Sequence, residues 1–160
     1  MSANENSDRE ILTTRVFDAP RELVWEVSTK PEHVAHWFGP NGFTLTIHEM
    51  NVSNGGVWRF IMHGPDGTDY PNRIDFIEVV KPERLVYEHG NDSDVDPIRF
   101  HVTTTFEDLG NNQTRLTSRM VFPTAEQRTR VIVENGALEG AEQHLNRLGD
   151  YLSKMEASHV

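Results

Sequence analysis

Residues 125–155 read AEQRTRVIVENGALEGAEQHLNRLGDYLSKM, a run without proline that follows a long region broken up by turns. Apolar residues recur at Val131, Ala137/Leu138, Ala141, Leu145, Leu148 and Leu152, the spacing of one helix face. Pro123-Thr124 supplies a helix start. This pattern predicts one long C-terminal helix over 125–155. Gly136 and Gly140 each cost such a helix about 1 kcal/mol relative to alanine, so a bend or a loosened first half is expected near them.

Upstream of that helix the period changes from helical to alternating. Trp58/Phe60/Met62 face away from Arg59, and Phe100/Val102/Thr104/Phe106 alternate with His101/Thr103/Thr105, as in a sheet with one buried face. Turn signals at Asn54-Gly55-Gly56, Gly64-Pro65-Asp66-Gly67, Lys81-Pro82-Glu83, Gly90 to Pro97 and Gly110-Asn111-Asn112 divide the region into six strands. These are Phe43 to Asn51, Val57 to His63, Tyr70 to Val80, Arg84 to His89, Ile98 to Glu107 and Gln113 to Phe122. Short connections imply an antiparallel meander. A further strand, Ile11 to Phe17, comes first, and Pro20 and Lys30-Pro31 then delimit two short helices, Arg21 to Ser28 and Pro31 to Trp37.

This layout implies a hollow. An antiparallel sheet must cover its apolar face, and only one helix is long enough to do so. A straight rod laid in a strongly twisted seven-stranded trough leaves space beside it. The walls of that space would be aromatic and aliphatic, the usual lining of a small-molecule pocket.

Composition narrows the partners. The 160 residues carry 15 Lys plus Arg against 25 Asp plus Glu, a formal net charge of −10 that disfavours nucleic acid and anionic membrane surfaces. With no cysteine there are no disulfides, thiolate metal sites or cysteine nucleophiles, which suits a reducing compartment. No apolar run approaches the ~20 residues needed to cross a bilayer, and residues 1–10 lack the basic start and apolar stretch of a signal peptide. The chain reads as cytoplasmic, with a disordered N-terminus over 1–10, one domain over 11–155 and a frayed end over 156–160.

Six stretches, in this order, carry a family resemblance. They are Phe17-Asp18-Ala19-Pro20 followed by Val24-Trp25; Pro31-Glu32-His33 leading to Trp37-Phe38-Gly39-Pro40; Gly55-Gly56-Val57-Trp58-Arg59-Phe60; Lys81-Pro82-Glu83-Arg84-Leu85-Val86; Gln113-Thr114-Arg115-Leu116-Thr117; and Leu145-Asn146-Arg147-Leu148. The chain thereby resembles the START-like (SRPBCC, Bet v 1-like) superfamily, and within it the activators of heat-shock-protein-90 ATPase and their homologues, over about residues 11–152. The resemblance implies an α+β helix-grip fold: a curved seven-stranded antiparallel sheet, two short helices after strand one, and a long C-terminal helix across the concave face. Members of the superfamily bind lipids, plant hormones and polyketides, some cyclise aromatic polyketides, and the eponymous co-chaperone stimulates a chaperone ATPase. Fold alone does not choose among these. Where the family usually has Gly-Trp on its last helix, this chain has Gly140-Ala141, which predicts a cavity larger than in relatives. The acidic residue frequent before the Gly-Gly turn is also absent, Val52-Ser53-Asn54 standing there.

Residue chemistry favours binding over catalysis. His33 and His36 lie one helical turn apart without an acidic third ligand, and His48, His63, His89 and His101 fall on separate strands, so no metal is expected. Asp92/Asp94/Asp96 lack the glycine and glutamate spacing of a calcium loop. The polar strand residues His101, Glu78, Tyr87, Glu88 and Arg119 form no recognisable acid–base pair by spacing, and no Gly-x-Ser-x-Gly elbow or phosphate loop is present. The expected function is therefore the binding of a small hydrophobic or aromatic molecule without a cofactor. An aromatic cyclase or hydrolase, or a chaperone-stimulating partner protein, is the alternative. Trp37 and Phe38 are expected to gate the cavity mouth. Trp58, Phe60, Met62, Phe76, Phe100, Val102, Met120, Ala141, Leu145 and Leu148 are expected to form its wall, with Tyr87 and His144 orienting the ligand.

Overall fold

Each strand has one apolar face, and the strands bury those faces together. The computed structural model describes residues 8–92 and 99–158. The chain runs β1 (Glu10–Phe17), α1 (Arg21–Thr29), α2 (Pro31–Trp37), β2 (Thr44–Met50), β3 (Val57–His63), β4 (Asp69–Val80), β5 (Arg84–Asn91), β6 (Arg99–Gly110), β7 (Gln113–Val121), α3 (Ala125–Asn135) and α4 (Ala137–Ser158). The strands form one antiparallel sheet in the order β1-β7-β6-β5-β4-β3-β2. It is a meander from β2 to β7, closed by β1 running beside β7 from Glu10 opposite Val121 to Phe17 opposite Thr114. Asn111 and Asn112 take left-handed φ values of 54° and 60° at the β6–β7 connection, the pair that a tight hairpin turn requires.

The core lies between the concave face and the helices. Val24, Trp25 and Val27 of α1, Val34 and Trp37 of α2, and Leu145, Leu148 and Leu152 of α4 are buried against Phe17, Trp58, Phe60, Ile74, Phe76, Leu85, Phe106 and Leu116. The outer face carries ion pairs instead, among them Arg73 and Arg99 on Asp75, Arg84 on Glu78 and Arg119 on Glu10. No helix of the described residues is long and apolar enough to cross a membrane.

The single helix expected over 125–155 is two helices. Thr124 caps α3, its hydroxyl accepting the Gln127 N–H at 3.1 Å, as the Pro-Thr signal implies. Gly136 then adopts φ 61° and ψ 40°, a left-handed conformation that ends α3 while its N–H still reaches the Val131 carbonyl. The glycine thus breaks the rod rather than bending it. At the chain ends, Glu10 already belongs to β1 and Glu156–Ser158 continue α4. Residues 1–7, with most of the stretch expected to be disordered, lie outside the described residues, as do Asp94, Asp96, Ile98, His159 and Val160.

Candidate functional site

Strand register places three rows of side chains on the concave face. Trp58, Ile74, His89 and Phe100 stand side by side across β3 to β6. Two residues along, Phe76, Tyr87, Val102, Met120 and Ile11 form the next row across β4 to β1. Leu85, Thr104, Ser118 and Thr13 form the third. Over them lies α4, which turns Ala141, His144, Leu145 and Leu148 toward the sheet at helical spacing. Between helix and sheet remains a cavity of about 700 Å³. That is within the 300–1,000 Å³ range typical of small-molecule sites.

One end of the cavity is closed by the loop after α2, and α4 holds that loop by its polar side chains. The Gly39 N–H donates to His144 Nδ1 at 3.0 Å, and the Asn41 N–H donates to Gln143 Oε1 at 3.0 Å. Arg147 Nη1 donates to the carbonyls of Phe38, Gly39 and Pro40 at 3.3, 3.1 and 2.8 Å. Gly39 has φ +97°, and a Cβ there would stand 2.8 Å from the Met62 Cε. The loop therefore needs glycine for its backbone angle, while the contact falls on the flexible end of Met62, which borders the cavity and can shift.

Thirteen of the fourteen expected site residues line the cavity: Trp37, Phe38, Trp58, Met62, Phe76, Tyr87, Phe100, Val102, Met120, Ala141, His144, Leu145 and Leu148. Phe60 does not. It is buried behind the wall, stacked on Trp58 at 4.3 Å between ring centres and covered edge-on by Phe38 at 5.7 Å. Trp37 is a fixed wall residue rather than a gate, because its indole N–H donates to the Val27 carbonyl at 3.0 Å and only 4% of the residue is exposed. Phe38 is half-buried and packs edge-on against Trp58 and His144 at 5.0 and 4.7 Å.

Sequence reading missed His89, Asn72, Thr104, Ser118 and Thr13, all of which also line the space. A signal for two of them exists in the strands: His89 lies two residues from Tyr87, and Thr104 lies between Val102 and Phe106. Of the polar strand residues weighed as acid–base candidates, only Tyr87 reaches the cavity. His101 pairs instead with Glu88 at 3.2 Å, both side chains well exposed to solvent. His33 bonds the Tyr151 hydroxyl at 2.7 Å, and His36 stacks on the same ring. Among the described residues, no three His, Asp or Glu side chains are grouped to hold a metal ion.

Burial sets the electrostatics of the pocket. It lowers the pKa of His89 to about 4, and it lowers His144 to about 4 with smaller contributions from Arg147 and His89. Both imidazoles are neutral at pH 7. Burial also raises the Tyr87 phenol, opposed by a hydrogen bond with Thr104. What the wall offers a guest is mostly apolar surface, with a few polar groups that include the carboxylates of Asp69 and Asp92.

Residues 18–153 match the family described as activator of Hsp90 ATPase homolog 1-like protein. The chain belongs to that family. The fold of this Hsp90-activator-like domain recurs in solved structures. A protein from Arthrobacter aurescens, solved by NMR, is 26% identical with a TM-score of 0.85, covering 94% of this chain and 89% of its own. A crystal structure from Mycobacterium smegmatis gives 24% identity and a TM-score of 0.83, covering 94% and 95%. The AHSA1 protein from Silicibacter pomeroyi gives 20% identity and a TM-score of 0.75, covering 91% and 99%. No curated protein matches the chain. What these likenesses share with the Hsp90-activator-like domain is the seven-stranded sheet gripping a C-terminal helix.

Proposed function

We propose that this Hsp90-activator-like domain binds a small hydrophobic or aromatic molecule in the cavity between α4 and the sheet. The observation that carries this reading is the cavity of about 700 Å³ with rings of Trp37, Phe38, Trp58, Phe76 and Phe100 in its wall. A filled core would be the default for a chain of this size, since interiors pack as densely as organic crystals. A space this large, kept open by a helix with Ala141 turned inward, instead gives apolar surface that a guest can remove from water. Each Å² so removed contributes about 25 cal/mol. Phe38 rather than Trp37 is placed to move aside at the mouth, because its ring makes edge contacts and no hydrogen bond.

A library of small aromatic and aliphatic compounds, screened by amide chemical-shift perturbation on the intact chain, tests the reading. The expected result is a set of shifts confined to Phe38, Trp58 and the 136–148 segment. Compounds that shift only surface residues, or shifts that arise only when a chaperone is added, would move the function away from the cavity and toward a protein partner.

A further inference from the structure

We infer that the cavity selects uncharged molecules carrying a hydroxyl or an equivalent group that both donates and accepts, held between His144 and His89, and rejects carboxylates. This rests on the binding reading above and adds the chemical class of the guest. The argument begins with the proton positions on the two rings. The Gly39 N–H donates to His144 Nδ1 at 3.0 Å, so that nitrogen carries the lone pair and the proton of the neutral ring sits on Nε2. Asn72 Nδ2 donates to the Tyr70 carbonyl at 2.8 Å, which turns Asn72 Oδ1 toward His89 Nε2 at 2.9 Å. An amide oxygen only accepts, so the His89 proton is on Nε2 and its Nδ1 is a bare lone pair. Both rings line the cavity, and among the described residues neither remaining nitrogen has a protein partner. One imidazole therefore offers an N–H and the other an acceptor.

Aromatic packing fixes both rings in place. His144 sits 4.9 Å from Trp37 and 4.7 Å from Phe38 between ring centres, and His89 sits 5.0 Å from Phe100. Their depressed pKa values, about 4 in each case, keep this donor–acceptor pairing in force at neutral pH. The charge balance of the wall points the same way. Among the described residues it contains Asp69 and Asp92, partnered by His63 and Arg59, but no lysine or arginine, and nearby Arg147 is spent on three backbone carbonyls. A buried carboxylate or phosphate needs a cation or several donors directed at it. Among the described residues this wall offers no cation, and the unpartnered Trp58 indole N–H is a lone further donor, whereas a hydroxyl can give its proton to His89 and take one from His144.

The test is a matched series on the intact wild-type chain at pH 7, followed by calorimetry or NMR titration: naphthalene, 2-methoxynaphthalene, 2-naphthol and 2-naphthoate. The ring is constant and only the polar group changes. 2-Naphthol is expected to bind roughly tenfold tighter than the methyl ether, which cannot donate, with 2-naphthoate the weakest of the four. In His89→Phe the advantage of the naphthol over its ether should disappear while naphthalene binding persists. Equal affinities across the series, or tightest binding by the naphthoate, would overturn the assignment and leave the cavity as an unselective apolar site. Failure of all four to bind would overturn the binding reading as well.

Discussion

The imidazole of His144, on the helix that covers the sheet, accepts the backbone N–H of Gly39 at 3.0 Å, in the loop that closes the cavity. One side chain thus helps Gln143 and Arg147 to hold the loop and, through the nitrogen left over, presents an N–H to the interior. Replacing it by alanine leaves the Gly39 N–H without its acceptor in a part-buried place. His144→Ala should lower stability by about 1–3 kcal/mol in urea unfolding. It should also raise hydrogen exchange at Gly39 and Asn41 more than at β6 or β7. Uniform loss of protection across the sheet would show that the loop is not the part held.

Acid should weaken the fold through His89 and His144. Each is depressed from 6.5 to about 4, so between those pH values the unfolded chain holds more protons than the folded one. Stability contributed by the neutral rings is present in full above pH 6.5 and falls as pH drops toward 4. The slope is at most about 1.4 kcal/mol per pH unit for each ring, less where cavity water reaches it. Urea midpoints measured between pH 7 and 4.5 should fall with pH, and His89→Leu should flatten that dependence. An unchanged slope in this variant would show that His89 is not depressed.

Ala141 faces the cavity where a larger side chain would occupy it. Ala141→Trp should fold with unchanged or slightly raised stability, because the ring enters existing space, and should lose affinity for any compound that binds the parent in the cavity. Thermal unfolding and the same titrations check both halves. Retained affinity in a folded variant would place the bound compound elsewhere.

Gly39→Ala tests the loop from the backbone side. The new residue must hold φ +97°, while its methyl meets only the flexible end of Met62. A loss of about 1–3 kcal/mol in denaturant midpoint is expected. Gly67→Ala, also at positive φ but with open space around its Cβ, should lose about as much, and a much smaller loss there would show that the Met62 contact rather than the backbone angle sets the cost.

Periodicities that depend on neighbours in sequence are legible in the sequence itself. Alternation at Phe100/Val102/Thr104/Phe106 gave the face of β6, and the spacing of Ala141, Leu145 and Leu148 gave the face of α4. What escaped was decided by residues far apart in the chain. Phe60 shares the alternation of Trp58 and Met62, yet Phe38 lies over it and removes it from the wall. Trp37, expected to gate the mouth with Phe38, has its indole held by the Val27 carbonyl ten residues away. The proton on His89 is set by Asn72, itself set by the Tyr70 carbonyl, a relay that no spacing rule contains. Gly136 was legible as a weak point, but whether it bends or breaks a helix depends on the left-handed angle it adopts.

The pairing of β1 with β7 joins the first strand to the last, Glu10 lying opposite Val121. During synthesis the first strand must wait for all six other strands to emerge before its neighbour exists, and such distant pairing slows folding. Until then Ile11 and Leu12 have no β7 to lie beside, and the interior chamber has no side wall. Truncation before residue 113, or a stalled ribosome, would therefore release not a smaller container but an open sheet with an unsatisfied edge, a species for quality control to remove.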